Sequence, residues 1–419
     1  MTRYISLYWA SIKPSFIWAC SLRLFVDVFR RRLILRERVD AELVRIFGNH
    51  RYLLFSTARG ALSFYLRTLL TPGDEVVVSS YTCLAVPTAV TAAAMRPVYV
   101  DIDPDSLSIN EQQLWSVVGP STRAVVLQHT LGNTASVAAL AIECRRRGIL
   151  VIEDCALSVG TTIDGQYVGS FGDASIYSME LSKTISCGWG GVLQINDTSR
   201  LSVLETAYAH VPDLSRVSSL RDFLQTVLSG VFTDPRVLGW VGRYLIWLCH
   251  KCRLFRYSTS QAEIDGRVSE DFVSKIGWAQ SVLAEKQWQR FGEVRSRCSR
   301  NFKVIASALE KAGFVVHRPR SPVTDPVANR VSFISGETAV IKEVFAKDNI
   351  ELGTWFDGPL SPLPECTEFH YNKEDYPVAL RVSKSVLNVP CHSRLSQVDL
   401  TRILSCIATV SIHAEKRSQ

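Results

Sequence analysis

Lysine is all but missing from a long stretch of this 419-residue chain: Lys183 stands alone between Lys13 and Lys251. Long apolar runs are missing too. Tyr4 to Phe29 is rich in aromatic and aliphatic residues, yet Lys13, Arg23 and Asp27 break it before it reaches the roughly 20 residues of a membrane-spanning helix. No small-residue cleavage site follows a clean apolar core, which argues against a signal peptide. Charge is sparse. Only 21% of residues are charged, and a formal net charge of +7 is modest at this length, so nucleic acid is not an expected partner. The eleven cysteines follow no repeated spacing. Cys249-His250-Lys251-Cys252 is the only CxxC and has no second pair at zinc-site distance, so no metal centre is expected. A chain this large needs no disulfides to fold, and reduced thiols point to a cytoplasmic protein.

What is present is a regular alternation. Hydrophobic residues make up 47% of the chain, enough for a substantial core in one large or two moderate domains. From Arg51 to Asn196 the pattern runs strand, turn, helix, repeated. Arg51 to Phe55, Glu75 to Ser79, Val98 to Asp101, Ala124 to Gln128 and Ile149 to Ile152 are short apolar strands. Ala61 to Leu70, Val86 to Met95 and Val137 to Arg147 are helical in composition, and Asn110 starts another helix. Such alternation implies an α/β fold around a mostly parallel sheet covered on both faces.

Residues 201–262 break the rhythm with apolar helical stretches, Phe223 to Leu228 and Leu238 to Cys249, divided by Asp234, Pro235, Arg236 and Arg243. They suggest an inserted helical hairpin whose exposed aromatics mark a partner surface, a lid or an interfacial membrane contact. A long helical pattern follows from Ser269 through Ala308. Then come strand, helix and strand over Gly313 to His317, Val331 to Ile334 and Val340 to Lys347, and a last helix over Val398 to Ile407. The expected division is an apolar and basic N-terminal helical segment (1–50), a large domain (51–200), the insertion (201–262), and a linker helix with a smaller α/β domain (263–419). In the first segment, aromatics beside Arg30-Arg31-Arg32, Arg36 and Arg38 suit docking on the protein's own body or lying on a membrane surface.

Lys183 follows an apolar strand and precedes the glycine-bearing stretch Gly188-Trp189-Gly190-Gly191. Upstream, Leu150-Val151-Ile152-Glu153-Asp154 is a second apolar strand ending in carboxylates. A lone amine and a strand-end carboxylate on neighbouring strands are the two groups that pyridoxal phosphate needs. The amine forms a Schiff base and the carboxylate keeps the pyridine nitrogen protonated. Strand ends of α/β sheets are also where ligands bind. On these two residues alone, a solvated lysine and an ordinary turn aspartate remain the alternative.

Further segments bear on that choice: Pro72-Gly73-Asp74-Glu75-Val76, Pro97-Val98-Tyr99-Val100-Asp101-Ile102-Asp103-Pro104, His129-Thr130-Leu131-Gly132-Asn133, Ile152-Glu153-Asp154, Val168 through Ala174, Ser178 through Lys183, and Leu387-Asn388-Val389-Pro390-Cys391-His392. As an ordered set they resemble the DegT/DnrJ/EryC1/StrS aminotransferases, pyridoxal-phosphate enzymes that aminate sugars and cyclitols in surface-glycan and antibiotic biosynthesis. The similarity runs from about Phe55 to Ile407, interrupted by the insertion. The resemblance implies fold type I, a homodimer with active sites at its interface, and amino transfer from glutamate or glutamine to a nucleotide-linked keto-sugar. A cyclitol or other small ketone is the alternative acceptor. A membrane-peripheral scaffold with a vestigial cofactor site is the alternative from another class.

The resemblance also implies roles. Lys183 carries the cofactor and Asp154 holds its ring nitrogen. Ala58 and Arg59, in Thr57-Ala58-Arg59-Gly60, meet the phosphate at a helix N-terminus, Arg59 bidentately. Ser178 is a further phosphate ligand. Arg267, in Asp265-Gly266-Arg267-Val268, reaches the neighbouring subunit's cofactor. The chain also departs from the pattern. Cys83 stands where an aromatic residue stacks on the cofactor ring, and Trp189 where an acid stands. Leu157 occupies the place of a glutamine that reaches the phenolic oxygen, with Ser158 as the expected substitute. A lysine at 183 argues against the dehydratase branch of the family, which has histidine there.

Overall fold

The computed structural model describes residues 4–7, 32–233, 241–252, 254–319, 324–362 and 369–418. Seven strands form the central sheet: β1 (Arg51–Phe55), β2 (Glu75–Ser79), β3 (Arg96–Val100), β4 (Thr122–Gln128), β5 (Leu150–Asp154), β6 (Ala174–Ser178) and β7 (Gly191–Ile195). Their spatial order is β1-β7-β6-β5-β4-β2-β3. The sheet is parallel except at β7, which runs antiparallel to both β1 and β6. The reason is the connection. Residues 179–190 return from β6 without a helix, and a chain that reverses directly pairs antiparallel.

Every residue of β5 and β7 is buried, as are Val76, Val77 and Val78 in β2. Strands covered on both faces need apolar side chains at successive positions, which is why these segments carry no polar alternation. One face packs on Leu62, Phe64 and Leu66 of the helix Ala58–Leu69 and on Val90 of the helix Ala85–Ala92. The other packs partly on Leu140, Ala141 and Cys144 of the helix Val137–Arg146.

The expected helix over Ser269 to Ala308 is two helices, Trp278–Gln289 and Phe291–Lys311, meeting at Arg290. It starts late because Gly277 caps it and Glu270–Phe272 forms a separate 3₁₀ turn. Beyond it, the expected order of strand, helix and strand is corrected to strand, strand and helix. Arg330–Ile334 pairs antiparallel with Val315–Val316 and with Val386–Pro390 in a three-stranded sheet. Thr338–Lys347 is the helix, burying Ile341 and Phe345 one turn apart.

In the insertion, Leu201–Ala209, Arg216–Phe232, Arg243–Lys251 and Gln261–Ile264 are helical. Arg216–Phe232 docks on Trp278–Gln289, where Ser219 Oγ donates to Gln280 Oε1 at 2.8 Å and Gln280 Nε2 donates to the Ser219 carbonyl at 2.9 Å. Near the N-terminus, Ile5 bridges to Ile350, and Leu35, Val39 and Leu43 of the helix Arg32–Phe47 are buried beside Val282 and Leu283. These parts dock on the protein's own body. Most of Tyr4 to Phe29, with Arg30 and Arg31, lies outside the described residues. No described helix is long and apolar enough to cross a membrane.

Candidate active site

β1 and β6 both end against the start of β7: Gly191 lies opposite Phe55 on one side and Ser178 on the other. β5 ends one strand further on, at Asp154. The sheet therefore brings three strand ends and the loop 179–190 to one edge. A cavity there is lined by Ala58, Arg59, Cys83, Asp154, Ser178 and Lys183, so six of the eight expected site residues share one space.

The lysine loop is held from two directions. The Lys183 amide donates to the Glu180 carbonyl at 3.0 Å, and the Glu180 carboxylate accepts from the amide and hydroxyl of Ser182 at 2.8 and 2.5 Å. From the C-terminal part, Asn329 Nδ2 donates to the Ser182 carbonyl at 2.9 Å. Behind Asp154, buried Glu153 accepts from the amides of Gly169, Phe171 and Gly172, each at 2.7 Å, and bonds His129 Nε2 at 2.9 Å. Cys155 completes a buried trio of metal-ligand types with His129 and Glu153. Both Glu153 oxygens are already engaged by the fold, so the trio reads as a brace for the strand end.

Burial shapes the two central charges. Desolvation holds the Lys183 amine below the ordinary lysine range, opposed by the nearby Glu180, Cys83 and Asp154; the charge of Arg330 lowers it further. Desolvation raises Asp154, and the Ala156 amide, which donates to its Oδ1 at 2.9 Å, acts against it together with the charges of Lys183 and His129. A buried carboxylate is stabilised by a cation that shares its dry surroundings.

The phosphate end of the expected site is also built. Thr57 caps the helix Ala58–Leu69 through its hydroxyl, which accepts from the Gly60 amide at 3.1 Å. The Ala58 and Arg59 amides, first in the helix, have no carbonyl within it to bond, and such an end attracts anions. Gly191 lets β7 approach this turn closely, since a Cβ there would lie 2.4 Å from the Ala58 nitrogen. An amine, a desolvated carboxylate, free helix-end amides and the Ser178 hydroxyl in one cavity fit pyridoxal phosphate. A wider cleft lies elsewhere on the large sheet, lined in part by Arg145, Asp173, Asp197 and Arg200. It pairs its own charges, Arg145 with Asp173 and Arg200 with Asp197, and offers no such set.

Two expected roles change, and a third concerns a neighbouring subunit. The Arg59 guanidinium is paired with the Glu263 carboxylate, just past the insertion, and donates to the Ser258 carbonyl near the insertion's end, so it is already engaged within the chain. Ser158 does not line the cavity. Its hydroxyl donates to the His129 carbonyl at 2.6 Å and accepts from the Gly132 amide at 2.8 Å, which spends it on the fold. Arg267 lies exposed, bonded to Asp265 at 2.8 Å, and is not part of its own chain's cavity.

Sequence reasoning missed Glu180, Ser258 and Trp355 in the cavity wall. Glu180 was within reach, three positions before the lysine. Trp189, noted only as a departure, carries the Arg256 guanidinium 3.7 Å from a ring centroid, and Arg256 is paired with buried Asp222 at 3.0 Å. Burial draws Arg256 down to about 10, Asp222 opposing.

Comparison with known proteins agrees with this geometry. The DegT/DnrJ/EryC1/StrS aminotransferase family matches residues 36–210. A GDP-perosamine synthase of Caulobacter vibrioides is 37% identical over 344 residues, 81% of this chain and 80% of that protein. Other alignments are shorter. The chain spans 33% of the length of a dTDP-4-dehydro-2,3,6-trideoxy-D-glucose 4-aminotransferase from Saccharopolyspora spinosa, at 35% identity over 30% of this chain. It spans 44% of the length of a GDP-perosamine synthase from Vibrio cholerae, at 34% identity over 38% of this chain. Among solved structures, a putative sugar aminotransferase from Streptococcus pneumoniae superposes with a TM-score of 0.75 over 99% of both chains at 18% identity. A GDP-4-keto-6-deoxy-D-mannose-3-dehydratase from E. coli also superposes, at 0.71 and 16% identity over 97% of this chain and all of that one. The fold alone therefore does not choose between the two reactions.

Proposed function

Since the chain belongs to the DegT/DnrJ/EryC1/StrS aminotransferase family, we propose that it moves an amino group from glutamate or glutamine to a nucleotide-linked keto-sugar, with pyridoxal phosphate as cofactor. The observation that carries this reading is one cavity at the carboxyl edge of the sheet lined by both half-buried Lys183 and buried Asp154. When bound, pyridoxal phosphate supplies an electron sink for the carbon that gains or loses the amino group. The chain supplies the rest. Lys183 Nζ, its proton affinity lowered by burial, takes up and returns a proton at the reacting carbon. The Asp154 carboxylate holds a positive ring nitrogen in dry surroundings. The Ala58 and Arg59 amides and the Ser178 hydroxyl bind the anionic end, and Trp189 and Trp355 help exclude water.

Two finer readings belong with this one. We propose a homodimer, supported by Arg267, which is exposed and lies outside its own chain's cavity, where a partner could meet it. We also propose a cytoplasmic protein that touches the inner membrane face through the insertion, supported by half-exposed Tyr244 and Trp247 beside Lys251.

Borohydride reduction of the cofactor-loaded protein should place a pyridoxyl group on the peptide containing Lys183. Glutamate should change the cofactor's absorbance, and a keto-sugar nucleotide should restore it. Lys183→Ala should lose turnover while keeping its fold. An adduct on another lysine would overturn the assignment.

A further inference from the structure

The cavity wall contains two tryptophans, Trp189 and Trp355. The ring of Trp189 is claimed by the insertion, through the Arg256 guanidinium stacked on it and the Asp222 carboxylate beyond. Trp355 is placed differently. Lys183 Nζ lies 5.2 Å from a centroid of its ring, within the range at which planar groups and cations contact an aromatic face. No other aromatic side chain lines this cavity among the described residues.

The surroundings hold this residue's backbone in position. The Trp355 amide donates to Asn388 Oδ1 at 2.9 Å, and the Arg330 guanidinium lies 4.2 Å from its ring centroid. The next residue, Phe356, is stitched to the strand-end region of the large sheet. Its amide donates to the Tyr81 hydroxyl at 2.8 Å, and that hydroxyl donates to the Phe356 carbonyl at 3.2 Å. Residues Leu360 and Ser361 then pair in parallel with Thr82 and Cys83. The segment bearing Trp355 thus runs beside the one bearing Cys83, and both side chains pack against the same small core of Tyr81, Ile102 and Phe356. At that wall Cys83 offers only a small side chain. A flat heteroaromatic ring held on Lys183 would find its aromatic contact in the indole.

We propose that Trp355 supplies the aromatic face against which the cofactor's pyridine ring rests, in place of any group at Cys83. This rests on the reading of the cavity as a pyridoxal-phosphate site. With its backbone anchored by Asn388 and its ring already covered by Arg330, Trp355 has less freedom to lose when the cofactor arrives.

Binding of pyridoxal phosphate to the apoprotein tests this without turnover. Titrations followed by cofactor absorbance and by tryptophan emission should compare wild type, Trp355→Leu and Trp355→Phe, each checked for fold by circular dichroism. Trp355→Leu is expected to bind about tenfold more weakly. Trp355→Phe should bind close to wild type but show less quenching of tryptophan emission, since the indole nearest the cofactor is gone. Adding Cys83→Tyr to Trp355→Leu should recover affinity by presenting a ring from the adjacent strand. A Trp355→Leu protein that binds as tightly as wild type, or a Trp355→Phe protein with unchanged quenching, overturns the proposal. Should Trp355→Leu fail to fold, the quenching measurement on Trp355→Phe decides alone. Wild-type protein that takes up no pyridoxal phosphate overturns this inference together with the reading beneath it.

Discussion

Lys183 and Asp154 are each pushed by burial toward the neutral form, and that has a measurable cost in the apoprotein. Asp154 binds its proton more tightly folded than unfolded, so its contribution is fully present below the ordinary carboxylate range and is lost as pH rises through its raised folded value. Lys183 is the reverse. Its folded value is lowered, so stability rises with pH from that value up to the ordinary lysine range. Denaturant unfolding of the apoprotein across pH should therefore show a falling acid limb that Asp154→Asn removes, and a rising alkaline limb that Lys183→Met removes. In turnover, Asp154→Asn should lose several orders of magnitude in rate, read from steady-state kinetics, because the ring nitrogen loses its counter-charge. Both residues were legible in the sequence: one by its isolation, the other by its place at the end of an apolar strand. Ser158 and Arg59 were not read correctly, for a physical reason. A hydroxyl or guanidinium advertises its chemistry locally, but whether a distant carbonyl or carboxylate has already claimed it depends on the fold. His129 and Glu263 are those claimants here.

At the level of elements, period and turn chemistry revealed most strands of the large sheet to within two residues, since doubly covered strands leave apolar signatures, but not β7, which lies behind the glycine-bearing stretch. The C-terminal part was harder. Val331 to Ile334 and Val340 to Lys347 are both short and apolar, and periodicity does not separate strand from helix at that length. The insertion combines both situations. Arg216–Phe232 buries Asp222, Phe223 and Thr226 but leaves Val217, Leu220 and Leu224 exposed, and Arg243–Lys251 adds exposed Tyr244, Trp247 and Leu248. Trp240, Arg236 and Arg253 lie outside the described residues. Apolar side chains beside Arg216, Arg221 and Lys251 suit an anionic lipid surface, where burial and charge attraction add. Wild-type protein should float with anionic vesicles at low salt and be released at high salt, and Trp247→Ser with Leu224→Ser should weaken flotation. Wild type that remains with the unbound fraction at low salt would exclude the membrane and leave a protein partner for this face.

For the whole molecule, the dimer proposal makes a sharp demand. Mixing Lys183→Ala protein with Arg267→Ala protein, each inactive alone, should restore activity through hybrid dimers that carry one intact site, seen as turnover appearing on subunit exchange. A fully active monomer by light scattering would refute it. The order of the strands has a further consequence, one that concerns time. β1 finds its partner only at β7, where Arg51 pairs with Ile195 and Leu53 with Leu193. A ribosome adding ~5–20 residues per second reaches that partner on the order of ten seconds after β1 emerges. Until then Leu53, Leu54 and Phe55 belong to an unpaired apolar strand on a growing chain, open to holdase chaperones and to the same strand on neighbouring nascent chains.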